Sequence, residues 1–207
     1  MVKALSEHWN SIFIKTEDTK MGWYEKSATQ TLELLNLIPE WKKSTLFLAG
    51  AGTSMLCDDL AKTEATLVLN DISNEALERT RVRLGEKSKQ INWLCQDIAE
   101  PVHGLNLKID IWIDRAVLHF LTAESDIDGY FENLRSLLKV RGYAILAEFS
   151  EKGAQKCAGL DVHRYSLQEL TTRLGEAFTL ITHFEYTYVM PSGDPRPYLY
   201  TLYKKEA

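Results

Sequence analysis

From Thr45 to Ala147 the chain repeats one unit, a short and largely apolar run followed by a stretch of helix length. The runs are Thr45-Leu46-Phe47-Leu48, Thr66-Leu67-Val68-Leu69, Ile91-Asn92-Trp93-Leu94, Ile109-Asp110-Ile111-Trp112-Ile113 and Tyr143-Ala144-Ile145-Leu146-Ala147. Runs this short and this continuous read as strands buried on both faces, which requires helices above and below. The stretches between them read as helices near 54–62, 73–84 and 126–138. Right-handed crossovers between parallel strands then give a doubly wound α/β sheet. The last third changes rhythm. Ser166 to Leu174 reads as a helix capped by Ser166, with Glu169 at capping-box spacing. Phe178 to Val189 and Pro197 to Tyr203 follow with only turn chemistry between them, so they pair antiparallel as a hairpin at the end of the sheet.

Ahead of the sheet, residues 4–13 and about 28–38 carry apolar side chains at helical spacing, the second run stopping at Pro39. No repeat or linker divides the 207 residues. They read as a single domain, with residues 1–40 as an N-terminal helical segment. A net charge of −5 gives no long-range pull on nucleic acid. No apolar run is long enough for a bilayer, and Met1 to Glu7 lack the apolar core of a signal peptide. Cys57, Cys95 and Cys157 are spaced for neither a disulfide framework nor a zinc site. The expectation is a cytoplasmic protein without a metal and with no nucleic-acid or membrane partner.

Chemistry gathers where the strands end. Gly50-Ala51-Gly52 follows the first strand and opens a helix, and two glycines there let a ligand approach the backbone. An acid about 20 residues on completes the dinucleotide-fold fingerprint. That acid is Asp71, in Asn70-Asp71-Ile72-Ser73, placed to accept ribose hydroxyls; capping the next helix is its other reading, a task Ser73 suits equally well. Asp97 ends the third strand, placed to accept from an adenine amino group, with Ile98 packing on the ring. Asp114, Arg115 and His119 emerge after the fourth strand. An ion pair at the rim is one reading of Asp114 and Arg115, and a border on the reacting end of a ligand is the other. Past the fifth strand, His163, Arg164 and Tyr165 form a polar cluster able to hold an acceptor, or a charged helix-entry loop. The three histidines His8, His103 and His183 share no metal-ligand spacing.

In their order, Gly50-Ala51-Gly52-Thr53-Ser54, Asn70-Asp71-Ile72-Ser73, Cys95-Gln96-Asp97-Ile98 and Ile113-Asp114-Arg115-Ala116-Val117-Leu118-His119-Phe120 resemble class I S-adenosylmethionine-dependent methyltransferases over nearly the whole chain. The resemblance implies a Rossmann-like, seven-stranded, mostly parallel sheet with helices on both faces and a C-terminal antiparallel hairpin. It implies S-adenosylmethionine as cofactor, S-adenosylhomocysteine as product, and methyl transfer by direct displacement. His119 is then the candidate base, because imidazole titrates near neutrality, and a satisfied core histidine is the alternative.

The opening His8-Trp9-Asn10-Ser11-Ile12-Phe13 and Gly22-Trp23-Tyr24-Glu25 are similar to a subgroup that includes protein lysine methyltransferases. That likeness implies that residues 1–40 form a lid segment, with Trp9 and Trp23 lying over the cofactor and Tyr24 near the acceptor; aromatics that pack a helix on the core are the other reading, Trp9 above all. Three departures stand out. Leu48 occupies a position where many members carry an acid, a link that Asp114 or Arg115 would have to replace, and Ser54 stands for a third glycine. Tyr188 and Met190 stand where close relatives have His and Thr. Three functions remain open: transfer to a small thiol, amine or carboxylate; transfer to protein lysine; and a cofactor-free module on the same fold.

Overall fold

The computed structural model describes residues 2–207, so Met1, where the N-terminal reading begins, lies outside the described residues. Alternation along the strands builds the two-sided core. In β1 (Thr45–Ala49), β2 (Thr66–Asp71) and β4 (Ile109–Arg115), the residues Leu46, Leu48, Leu67, Leu69, Ile111 and Ile113 face one side. There they meet Leu34 and Leu35 of α2 (Thr29–Leu35) and Leu56 and Leu60 of α3 (Leu56–Leu60). The intervening Phe47, Val68 and Trp112 face the other side, against α5 (Glu124–Leu137) and α6 (Leu167–Leu174). Trp112 is fully buried, stacks on Phe47 at 4.3 Å, and donates from Nε1 to Tyr130 Oη at 2.9 Å. Side chains buried on both faces explain why these strands read as unbroken apolar runs.

With β3 (Asn92–Cys95), β5 (Leu138–Phe149), β8 (Phe178–Val189) and β9 (Pro195–Lys205), the sheet has seven strands in the order β3-β2-β1-β4-β5-β9-β8. The first five run parallel, and β9 lies antiparallel between β5 and β8. This is the expected sheet with its terminal hairpin. A small extra hairpin, β6 (Lys156–Cys157) with β7 (Leu160–Asp161), was not expected. The helix α1 (Val2–Lys15) packs Trp9 and Phe13 with Met21 and with Ala76 of α4 (Asn74–Leu84), forming a third cluster outside the sheet.

Two boundaries differ from expectation for physical reasons. The helix expected over 54–62 shrinks to α3, because Arg83 on α4 donates to the carbonyls of Thr53 and Ser54 at 3.0 and 2.9 Å. The strand expected from Tyr143 begins at Leu138, which pairs with Ile109 ahead of a register shift. At that irregularity Arg141 has φ 69°, and a Cβ on Gly142 would meet the Asp110 carbonyl at 2.9 Å. Ser166 does cap α6, accepting from Glu169 N at 3.1 Å. The Glu169 carboxylate does not close the box, since it pairs with His163 and Arg173.

Candidate functional site

Parallel strands end together, and β1, β2, β3 and β4 bring their carboxyl ends to one edge. The turn after β1 holds Gly50 at φ +54° and Gly52 at φ +51°, conformations that favour glycine. A Cβ on Gly50 would lie 2.0 Å from Val117 Cγ2. Asp71, at the end of β2, braces this turn. Its Oδ2 accepts from Gly52 N and its Oδ1 from Ser73 N, both at 2.8 Å. Ser73 is the cap of α4, accepting from Ala76 N at 3.2 Å, which frees Asp71 from that role. Burial pushes the Asp71 carboxyl up to about 6, against the lowering pull of its backbone donors.

In front of this turn lies a cleft of about 700 Å³, lined by Trp9, Trp23, Gly50, Gly52, Asp71, Ile72, Asp97, Ile98 and Arg115. Phe13, Asn70, Gln96 and Phe120 line it too and went unassigned in the sequence. The N-terminal segment forms its roof. Trp9 sits edge-on to Trp23 at 5.7 Å and to Phe120 at 4.8 Å, and Phe13 meets Trp23 at 6.1 Å. A second cleft of about 600 Å³ shares Trp23, Gly50, Gly52 and Arg115, and adds Tyr24, Glu25, Thr31, Leu48 and Ala51. The two clefts flank the glycine turn.

Arg115 fastens the roof to the sheet. Its Nη1 donates to Trp23 O and its Nε to Tyr200 Oη, each at 3.1 Å, and Nη2 lies 2.9 Å from Glu25 Oε1. The guanidinium sits between the rings of Tyr188 and Tyr198, 5.1 and 5.0 Å from their centroids. Tyr188 also donates to Tyr24 O. A Cβ on Gly22 would be 2.6 Å from Met190 Cε, so glycine there makes room for the methionine. Tyr188 and Met190, unexplained in sequence, thus clasp the segment Gly22–Tyr24. Nothing in the sequence pairs Glu25 with Arg115, although both stand inside recognisable motifs.

Four residues expected at the site do not reach either cleft. Asp114 is fully buried and accepts from Val117 N and Leu118 N at 3.1 Å each, holding the turn after β4. Burial and the Glu148 carboxylate raise it far above the usual carboxylate range. His119 is also fully buried and stacks on Phe149 at 4.3 Å. Its Nδ1 is 2.8 Å from Glu148 Oε2 without hydrogen-bond alignment, and burial pushes the imidazole down to about 3. The expectation of a base at His119 is therefore corrected: an enclosed, neutral ring has no path to an acceptor in this arrangement. Arg164 donates to Glu151 O at 2.8 Å, and the Tyr165 ring lies in the core beside α6. Both turn away because the bridge between Ser150 and Tyr165 draws this loop against the end of β5.

His119→Phe tests that correction. Neither ring nitrogen has an aligned hydrogen bond, so an apolar ring of similar shape should keep stability within about 1 kcal/mol and leave turnover within a few-fold. Turnover reduced more than about 100-fold in a variant that melts like the parent would restore the base.

A methyltransferase-domain family model matches residues 48–144, the stretch from β1 into β5 that carries every strand end of the cleft. That stretch is similar to a methyltransferase domain. Solved structures agree in fold. An S-adenosylmethionine-dependent methyltransferase of Anabaena variabilis superposes with a TM-score of 0.79 at 15% identity, covering 99% of this chain and 95% of that one. The N-methyltransferase NodS of Bradyrhizobium japonicum, solved with S-adenosylhomocysteine, gives 0.68 at 17% over 86% and 85%. The 1,6-didemethyltoxoflavin-N1-methyltransferase of Burkholderia thailandensis gives 0.69 at 16% over 99% and 86%. No curated protein matches the sequence. None of the described helices is long and apolar enough to cross a membrane.

Proposed function

We propose that this protein is a methyltransferase that moves the methyl group of S-adenosylmethionine to a small-molecule acceptor by direct displacement, leaving S-adenosylhomocysteine. The observation that carries the reading is the roof. Trp9, Phe13 and Trp23 close over the cleft in front of the glycine turn, which suits an acceptor small enough to be enclosed with the cofactor. A sulfonium supplies an electrophilic methyl, so the protein's task is to bind, orient and exclude water.

The residues fit that task. Gly50 and Gly52, both at positive φ, present the backbone of the turn to the cleft. Each Asp71 oxygen accepts one backbone donor and keeps a lone pair for a ribose hydroxyl. Asp97 spends Oδ1 on Ala99 N at 3.0 Å and retains acceptor capacity for an adenine amino group, with buried Ile98 against the ring. Tyr24 borders the second cleft, where the acceptor approaches. His119 and Asp114 support the site from behind, by holding the turn after β4. Of thiol, amine and carboxylate acceptors, an amine nitrogen has the support of two structurally similar proteins that are N-methyltransferases. The three cysteines are free, as in a reducing cytoplasm.

One observation favours protein lysine as a second reading. An open groove lined by Tyr24, Glu25, Tyr186 and Tyr188 adjoins the second cleft, and tyrosine rings with a carboxylate receive an ammonium group. Incubation with methyl-labelled S-adenosylmethionine and a cell extract separates the two. Label in the small-molecule fraction supports the proposal, and label in protein alone replaces it with the lysine reading.

A further inference from the structure

The two edges of the sheet are finished differently. At one, β3 has only 4 residues, and shortness protects an edge from further pairing. At the other, β8 runs for 12 residues with β9 on one side and, among the described residues, no strand on the other. Its outward groups can be named. The Pro197 carbonyl accepts from Ser150 N at 3.1 Å, so the Pro197 backbone faces β5. Thr187, paired with Pro197, therefore turns its N–H and C=O away from β9, and by alternation so do Glu185 and His183. None of these groups has a backbone partner among the described residues. The side chains leave the edge open as well. β8 reads Phe-Thr-Leu-Ile-Thr-His-Phe-Glu-Tyr-Thr-Tyr-Val, β-branched and aromatic for most of its length, without proline, lysine or arginine. Its one irregularity, between Leu180 and Thr182, leaves Thr182 to Val189 in unbroken register. Lys152 does approach from a loop, but it is spent on the Glu185 carboxylate at 2.7 Å.

We infer that β8 is a self-recognition edge, through which two copies of this chain join antiparallel about a two-fold axis at Phe184 and merge their sheets. Opposite residues of an antiparallel pair share a face of the sheet, so such an axis must pass through a residue. Centred on Phe184, it sets His183 opposite the partner's Glu185, and Glu185 opposite the partner's His183. Both side chains are exposed. An imidazole N–H donates to a carboxylate in either protonation state of the ring. His183 and Glu185 also carry outward N–H and C=O groups, so each pair exchanges two backbone hydrogen bonds. Phe184 meets its own copy at the close, non-hydrogen-bonded position, on the face where it stacks on Tyr200 at 5.2 Å. Only this centre sets His183 against Glu185; an axis at Glu185 itself would bring two carboxylates together. A second copy carries this order by construction, which is what favours it over a foreign strand. The contact uses the same edge of both copies, so assembly stops at the dimer. No residue of either cleft takes part, and the inference is independent of the proposed function.

Sedimentation velocity on the parent protein at rising concentration should show conversion to a species of twice the mass. His183→Glu places a carboxylate against each Glu185 and should weaken dimerisation by about tenfold or more. The double variant His183→Glu, Glu185→Lys again sets opposite charges against each other and should recover the dimer. Both positions are exposed, so the substitutions leave the core untouched. Within the dimer, hydrogen exchange at the His183 and Glu185 amides should slow, because the N–H groups that faced water become paired. A parent that stays monomeric overturns the inference. So does a dimer that His183→Glu leaves unchanged, a double variant that fails to recover it, or fast exchange at both amides in the dimer.

Discussion

Asp71→Ala weakens S-adenosylhomocysteine binding by about 2–3 kcal/mol, on the order of 100-fold. The size follows from two losses at one carboxylate. The ribose loses a charged acceptor, and Gly52 N, whose partner is Asp71 Oδ2 at 2.8 Å, is left without one at the turn the cofactor must touch. Calorimetry on the folded variant gives the number, and an unchanged affinity would reduce Asp71 to a brace. The same carboxyl sets a pH dependence. Its ordinary value is 3.8, and burial lifts it to about 6 in the folded protein. A raised folded value means a stabilising contribution that is complete below 3.8 and lost as pH rises through about 6. Hydroxyl donors on the ligand favour the ionised form. Below about pH 6 binding must therefore release a proton, and affinity should climb with pH up to that point and then level off. A flat profile from pH 5 to 7 would contradict this, as would one falling with pH.

Gly129→Ala destabilises the protein by about 2–3 kcal/mol, against the usual direction. In the middle of a helix this change ordinarily gains about 1 kcal/mol, because alanine is the better helix former. Here a Cβ would lie 2.0 Å from the carbonyl oxygen of Ala99, a backbone atom with little room to retreat. Gly129 lets α5 press against the loop that carries Asp97 and Ile98. Asn133, one turn on, locks the contact by donating to Ile98 O and Glu100 O at 2.8 Å each and accepting from Val102 N at 3.1 Å. The overpacked variant should show a lower denaturant midpoint at unchanged slope, together with weaker cofactor binding. A midpoint above that of the parent would show that the loop yields freely and that its position does not depend on α5.

Which parts of this were legible in sequence follows from where the information lies. β1, β2 and β4 stood out because both faces of each are buried, which leaves no polar alternation to blur the run. Gly50, Gly52, Asp71 and Asp97 were legible because each sits a fixed step past a strand end, and parallel strands carry such residues to one edge. The start of β5 was hidden, since Lys139, Val140 and Arg141 are exposed and read as a loop. The shortness of α3 depends on Arg83, a residue of the next helix, reaching back to two carbonyls. His119 misled for a related reason. A polar residue after an apolar strand points to the active edge in a one-dimensional reading, yet the turn held by Asp114 folds its ring back against Phe149. The Glu25–Arg115 pair was out of reach, because its members come from the lid and from β4 and meet only when the N-terminal segment closes over the cleft.

The measurement closest to the central claim is calorimetric titration of the purified protein with S-adenosylhomocysteine at neutral pH. The structure predicts saturable binding at one site per chain, lost or strongly weakened in Asp71→Ala. Absence of binding by both S-adenosylhomocysteine and S-adenosylmethionine, in protein that melts cooperatively, would contradict the account and leave the glycine turn and its acids as structural features only.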